Sequence, residues 1–303
     1  LGIVKERFST KKRLPKTLAA IAQANAILEE YNAQGFRMTV RQLFYQHVAR
    51  GLVPNTSKGY DAVQATARRG RVDGLIDWDF IEDRSRETVE WQAWTDPSGA
   101  VADAAASYQE DPWADQPIKP VVWIEKAALA NVIEPACSEW RIPYFAIHGY
   151  NSTTLQYETA KKLAELIETG VTPIVLHLGD HDPSGLDMTR DNKKQLSLFA
   201  GAPIELRRLA LNIDQVRRYR LPPNPVKETD KRTPSYVQQY GSECWELDAL
   251  EPTVIDTVLR AEIQGLANKR KWKAALALEA KNRKTIEAIS DRWDEVEQLV
   301  TSD

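Results

Sequence analysis

The stretch GDHDPSG (179 to 185) closes an apolar run, IVLHL, with two carboxylates two positions apart, Asp180 and Asp182. An earlier apolar run, VVWIE, closes in the same way on Glu125. If both runs are strands of one parallel sheet, three acids meet beyond its carboxyl edge, where open α/β sheets bind their ligands. Crowding like charges costs free energy unless a cation is present. Mg2+, with Mn2+ as a substitute, suits such a site because it is hard, prefers oxygen, and completes its shell with water and phosphate oxygens. Each acid also has a plain structural reading. Asp182 before Pro183 is a helix N-cap, Asp180 after Gly179 is a turn residue, and Glu125 complements the dipole of the next helix. All three together favour the metal. His148, His177 and His181 lie near the same strand ends, but their spacing is not that of a zinc set.

The elements that must position these acids are legible in outline. PVVWIE, PYFAIHG and TPIVLHLGD are short, β-rich and almost wholly apolar, with helical stretches between them. That alternation predicts an α/β fold with a parallel sheet buried on both faces. PIELRRLAL predicts a further strand, and residues from about 253 to 300 predict C-terminal helices. Upstream, residues 15 to 34 predict a helix with Leu18, Ile21, Ala22 and Leu28 on one face. A second helix begins at Thr39, an N-cap, with Val40, Leu43, Phe44 and Val48 on its apolar side. A third carries Arg68, Arg69 and Arg71. Three short helices with a basic last one fit a helix-turn-helix or winged-helix module as well as a plain bundle, and in the former these arginines contact DNA. Residues 95 to 118 mix Pro, Gly, Ser and acids and read as a linker. The expected division is therefore 1–94, a linker at 95–118, and 119–303 with a C-terminal helical extension.

Composition sets the outer bounds. A chain of 303 residues, 43% apolar and 27% charged, can bury a substantial core and favours two domains. A net charge of −3 excludes a uniformly basic nucleic-acid coat but leaves room for local basic patches. The blocks at 4 to 16, 67 to 71 and 268 to 284 are basic, whereas 77 to 83 and 294 to 298 are acidic. The two cysteines, Cys137 and Cys244, lack the spacing of a zinc site or a disulfide framework, which suits a reducing compartment. No apolar run approaches membrane-spanning length, and the basic N-terminal residues have no apolar stretch behind them, so a cytoplasmic location is expected.

A glutamate ending one strand, followed by Gly-Asp-x-Asp-Pro-x-Gly, resembles the Toprim domain. The form here is most similar to the A subunit of type IIB topoisomerases (topoisomerase VI) and the related proteins that make meiotic double-strand breaks, in particular small stand-alone prokaryotic or viral relatives. In that family a winged-helix domain precedes Toprim and carries a catalytic tyrosine. VRQLFY (40 to 45) is similar to that motif and places Tyr45 at the nucleophile position and Arg41 at the motif's arginine. The resemblance covers residues from about 36 to 215. Gln42 departs from it, standing where the family usually has an acid. Helical geometry adds to this reading. At roughly 100° per residue Tyr45 falls off the centre of the apolar face, and Arg41 sits one turn before it.

The resemblance implies Mg2+-dependent cleavage of double-stranded DNA by transesterification, with Tyr45 forming a 5′-phosphotyrosyl link. Asp180 and Asp182 would hold the metal, and Glu125 would complete its shell or act as acid or base. It further implies a homodimer whose two sites each combine one protomer's tyrosine with the other's acids, and a separate ATPase subunit for strand passage. Two rivals keep part of this reading: a Toprim hydrolytic nuclease that does not use Tyr45, and a DNA-binding protein without catalysis. SECWELDALEP (242 to 252) reads as packing around a helix start, and LPPNPVK with Lys227 as a rigid surface loop.

Overall fold

The computed structural model describes residues 5, 7–9, 11–81, 93–146 and 153–301. Three helices open the described chain: α1 (Pro15–Asn32), α2 (Val40–Ala49) and α3 (Ser57–Val72). The buried stripe of α1 is Ile21, Ala24, Ile27, Leu28 and Tyr31. Leu18 and Ala22, expected on that stripe, are exposed, because the stripe is set by where α3 packs. Thr39 caps α2 in a reciprocal box with Gln42: Gln42 N donates to Thr39 Oγ1 at 3.2 Å, and Thr39 N donates to Gln42 Oε1 at 2.7 Å. Among the described residues no strand precedes Ile118; the isolated bridges Arg7–Asp73 and Met38–Ile81 tie the helices together.

The segment expected to be a linker contains a helix, α4 (Pro97–Ser107), packed along a C-terminal helix, α11 (Lys269–Asp291). Its Pro-Ser-Gly start is a helix entry: Asp96 accepts from Gly99 N at 3.0 Å, and Pro97 occupies the first turn. The alanines that follow are good helix formers with almost no periodic signature, which is why the pattern read as a loop.

The chain then forms an α/β unit, as expected. Strands β1 (Ile118–Ile124), β2 (Tyr144–Ala146), β3 (Thr172–Leu178) and β4 (Glu205–Ala210) make one parallel sheet in the order β2-β1-β3-β4. Between and after them run α5 (Ala130–Glu139), α6 (Thr153–Glu168), α7 (Pro183–Ala200) and α8 (Ile213–Tyr219). Alternate side chains face opposite layers. Val122, Ile124, Leu176 and Leu178 pack with α5 and with α10 (Pro252–Leu266), while Val121, Trp123 and Val175 pack with α6 and α7. Each fully buried aliphatic side chain contributes roughly 1.5–3 kcal/mol, so both faces drive the sheet's formation.

The remaining elements are a short antiparallel pair, β5 (Asn224–Pro225) and β6 (Glu243–Cys244), α9 (Thr233–Tyr240) between them, and α12 (Trp293–Thr301). One apolar cluster runs from α1 and α2 through Leu247 and Ala249 to the β1–β3 face and α10, so the helical N-terminal part and the sheet share buried surface. None of the described helices is long and apolar enough to cross a membrane.

Candidate functional site

Strand register brings the first acids together. Ile124 pairs with Leu178 across β1 and β3, so Glu125 and Gly179 leave the sheet side by side. Asp180 N donates to Glu125 Oε2 at 2.8 Å. Asp182 caps α7, its Oδ1 accepting from Gly185 N at 2.6 Å, so the plain reading of this residue also holds. Arg208 on β4 laces the loop from beneath. It donates to the carbonyls of Gly179 (2.9 Å), Gly185 (3.1 Å) and Asp180, and to Thr189 Oγ1. A rigid five-donor fork is suited to holding several carbonyls at once.

A second layer comes from the segment after β6, to which the sequence reading gave no chemistry. Trp245 pairs with His181 through two backbone hydrogen bonds of 2.8 and 2.9 Å, which sets Glu246 and Asp248 beside the acids. Lys126 Nζ lies 2.7 Å from Glu246 Oε2, 2.7 Å from Asp248 Oδ2 and 3.1 Å from Asp180 Oδ1. Arg41 pairs with Glu246 and lies 3.4 Å from Asp248. Leu247 N donates to the same oxygen, Asp180 Oδ1, at 2.7 Å.

Tyr45 stands next to this network. Asn224 Nδ2 is 3.5 Å from its hydroxyl and 3.4 Å from Glu246 Oε1, and Asn55 Nδ2 fixes that amide by donating to Asn224 Oδ1 at 2.7 Å. The Arg41 guanidinium lies 5.9 Å from the Tyr45 ring centre. Tyr45 is only 3% exposed: its off-stripe position is covered, because α2 also packs against the turn Leu247–Ala249. One cavity of about 990 Å3 is lined by Tyr45, Arg41, Lys126, Glu246 and the three strand-end acids. The N-terminal residues of α3 (Thr56, Ser57) and α7 (Pro183, Ser184) also reach it, as does Lys227, which had read as part of a surface loop.

The electrostatics follow from crowding. Burial and then the charge of Asp180 push the Glu125 carboxyl up to about 8. Burial also raises Asp180, against the pull of Lys126 and Leu247 N. Burial would raise Glu246 too, but Lys126 and Arg41 prevail and hold it at about 2. Both cations stay protonated: desolvation works against them, and the surrounding carboxylates outweigh it. Burial and the Glu246 charge push Tyr45 up to about 12, with Asn224 and Arg41 opposing.

Among the described residues no three His, Cys, Asp or Glu side chains converge into a complete metal cage. What the cavity offers instead is Glu125, which accepts its hydrogen bond through Oε2, and Asp182, which accepts through Oδ1, with the Asp182 charge acting on Glu125. Such a pair fits Mg2+ or Mn2+, which take one or two carboxylates and complete the shell with water and phosphate. Asp180, the third expected ligand, meets both Lys126 and Leu247 N through Oδ1, and the Lys126 ammonium already balances its charge. His177 and His181 are held by hydrogen bonds to neighbouring hydroxyls. His177 Nδ1 meets Thr189 at 3.0 Å, and burial lowers it to about 3; His181 Nδ1 meets Tyr236 at 2.9 Å, and burial lowers it to about 4. His148 lies outside the described residues. Arg68 and Arg69 project from α3 into solvent, whereas Arg71 stacks 4.7 Å over Trp78.

The residues that sequence reasoning missed are Lys126, Arg208, Asn224, Glu246 and Asp248. Only Lys126 carried a local signal, as the residue following Glu125. No protein-family model matches this chain, and no curated protein matches it either.

Proposed function

We propose that this chain cleaves duplex DNA by metal-assisted transesterification, with Tyr45 as nucleophile. One observation carries the reading: the Tyr45 hydroxyl, two fixed cations and the strand-end acids line a single cavity. The likeness of GDHDPSG to Toprim and of VRQLFY to the tyrosine motif of type IIB topoisomerase A subunits supports it. So does the order of a helical part, a winged-helix candidate with Arg68 and Arg69 facing solvent, before the sheet. In this reading Arg41 and Lys126 hold the scissile phosphate. The Tyr45 oxygen bonds to phosphorus as its proton passes to water in the cavity. The bond from phosphorus to the 3′ oxygen breaks, and water in the cavity gives that oxygen its proton. Asp182 and an ionised Glu125, with Asp180 behind, would be the residues to hold Mg2+, whose chemistry there would be charge neutralisation. A homodimer and a separate ATPase subunit belong to the same reading.

The burial of Tyr45 and its rise to about 12 favour a second reading, in which water attacks and the protein is a hydrolytic nuclease. One experiment separates the two. Supercoiled plasmid is incubated with protein and Mg2+ or Mn2+, quenched with denaturant, and assayed for protein on 5′ ends. Transesterification predicts linked ends that vanish in Tyr45→Phe. Equal cleavage by both proteins with free ends makes the chain a hydrolase, and no cleavage with either metal rejects both readings.

A further inference from the structure

We propose that Arg41, Lys126 and Asn224 form a phosphodiester pocket beside the Tyr45 hydroxyl, and that Glu246 fills this pocket until a DNA backbone phosphate displaces it. The pocket itself stands on the contacts; the choice of DNA as its ligand rests on the function proposed above.

Three donors from three separate parts of the chain converge on one carboxylate. Arg41 and Lys126 both reach Glu246 Oε2, and Asn224 reaches Oε1. The same Asn224 amide faces the Tyr45 hydroxyl, so the anion held here neighbours the candidate nucleophile. Guanidinium and ammonium groups accept carboxylate and phosphate in the same way.

The two acids of the segment have different parts. The Asp248 side chain is fully buried, 2.7 Å from Lys126 and 3.4 Å from Arg41. It holds both cations in place from below. The Glu246 side chain is 24% exposed and lines the cavity, so it can swing out without uncovering the core. Exchange replaces one monoanion by another, and Asp180 and Asp248 still balance the two cations. Departure of Glu246 therefore leaves a built pocket.

The test is equilibrium binding of a fluorescent DNA duplex in EDTA, where cleavage does not intervene. Glu246→Gln should bind about two- to tenfold more tightly than wild type, the range of one partly screened charge pair. Lys126→Met placed in that background should remove the gain. Glu246→Asp, which retracts the carboxylate by one methylene, should give a smaller gain and serves if the Gln variant does not fold. Unchanged or weaker DNA binding by a folded Glu246→Gln protein would show that Glu246 holds the cations in place rather than standing in for a ligand, and would overturn the proposal. Inorganic phosphate is the second probe. If Glu246→Gln gains thermal stabilisation by phosphate but neither protein binds DNA, the pocket stands and the DNA reading falls. If it gains neither, the pocket falls.

Discussion

Glu125 is the residue at which charge crowding has its clearest consequence. Its folded carboxyl is raised toward about 8, so the fold favours the protonated form, and the cost of ionising it grows as pH rises from the ordinary carboxylate range to about 8. Above that pH the penalty is on the order of 5 kcal/mol, roughly 8 °C in Tm for a chain of this size. In EDTA, Glu125→Gln should therefore melt higher than wild type at pH 9 and at about the same temperature near pH 5. Mg2+ should close the gap at pH 9 by stabilising wild type alone, through the charge that the variant lacks. A Tm difference that is equal at both pH values, or that ignores Mg2+, would remove Glu125 from any metal site. At this scale the acids of GDHDPSG and Glu125 were legible by type and spacing, and Arg41 and Tyr45 through the likeness of VRQLFY to a family motif, because these patterns are local. The sequence did not show Glu246 or Asp248, because their role exists only once Trp245 pairs with His181. Gln42 also becomes intelligible. Its side chain accepts from Thr39 N at the start of α2, so an amide serves that place as well as an acid, and the carboxylate that acts on Tyr45 is Glu246.

The loop from β3 to α7 depends on two glycines that carry no positive φ and are there for space. A Cβ on Gly179 would stand 2.6 Å from Glu125 Oε2, the end of a side chain that can turn away. A Cβ on Gly185 would stand 2.2 Å from the Asp180 carbonyl oxygen, which is backbone and also bonded to Arg208. The two substitutions should therefore part company. Gly179→Ala should fold with nearly the wild-type Tm but lose Mg2+-dependent cleavage and the Mg2+ effect on Tm. Gly185→Ala should lower Tm by several degrees, the scale of about 1–3 kcal/mol for overpacking. Thermal melts and a plasmid assay on both proteins check this, and a Gly179→Ala protein that binds and cleaves normally would sink the account of Glu125. Element by element, the strands and the capped helices were readable because a burial period or a cap announces them. Helix α4 was not, because alanine gives no period and its face is defined only by α11. The stripe of α1 was misjudged for the same reason, since its partner α3 lies elsewhere in the sequence.

Across the whole molecule the N-terminal helices and the sheet are joined by one apolar cluster and by the contact of α2 with Leu247–Ala249. No local pattern in the sequence signals that contact, and the family resemblance pointed the other way, to a tyrosine and acids supplied by different protomers. Here Tyr45 reaches the cavity of its own chain's Glu125, Asp180 and Asp182. The chain Tyr45, Asn224, Glu246, Lys126, Asp180 links them through contacts of 3.5, 3.4, 2.7 and 3.1 Å. A site assembled within one chain makes a definite forecast for mixtures. Tyr45→Phe and Asp182→Asn, each inactive alone, should stay inactive when refolded together, because no protomer then carries both groups. If tyrosine and acids came from different protomers, one of the two sites in every mixed dimer would be intact, and cleavage would return on mixing. Recovery of nicking in the co-refolded sample would show that α2 leaves its own cavity and exchanges with a partner; its absence, with dimers demonstrated by light scattering, would leave each chain with a complete site of its own.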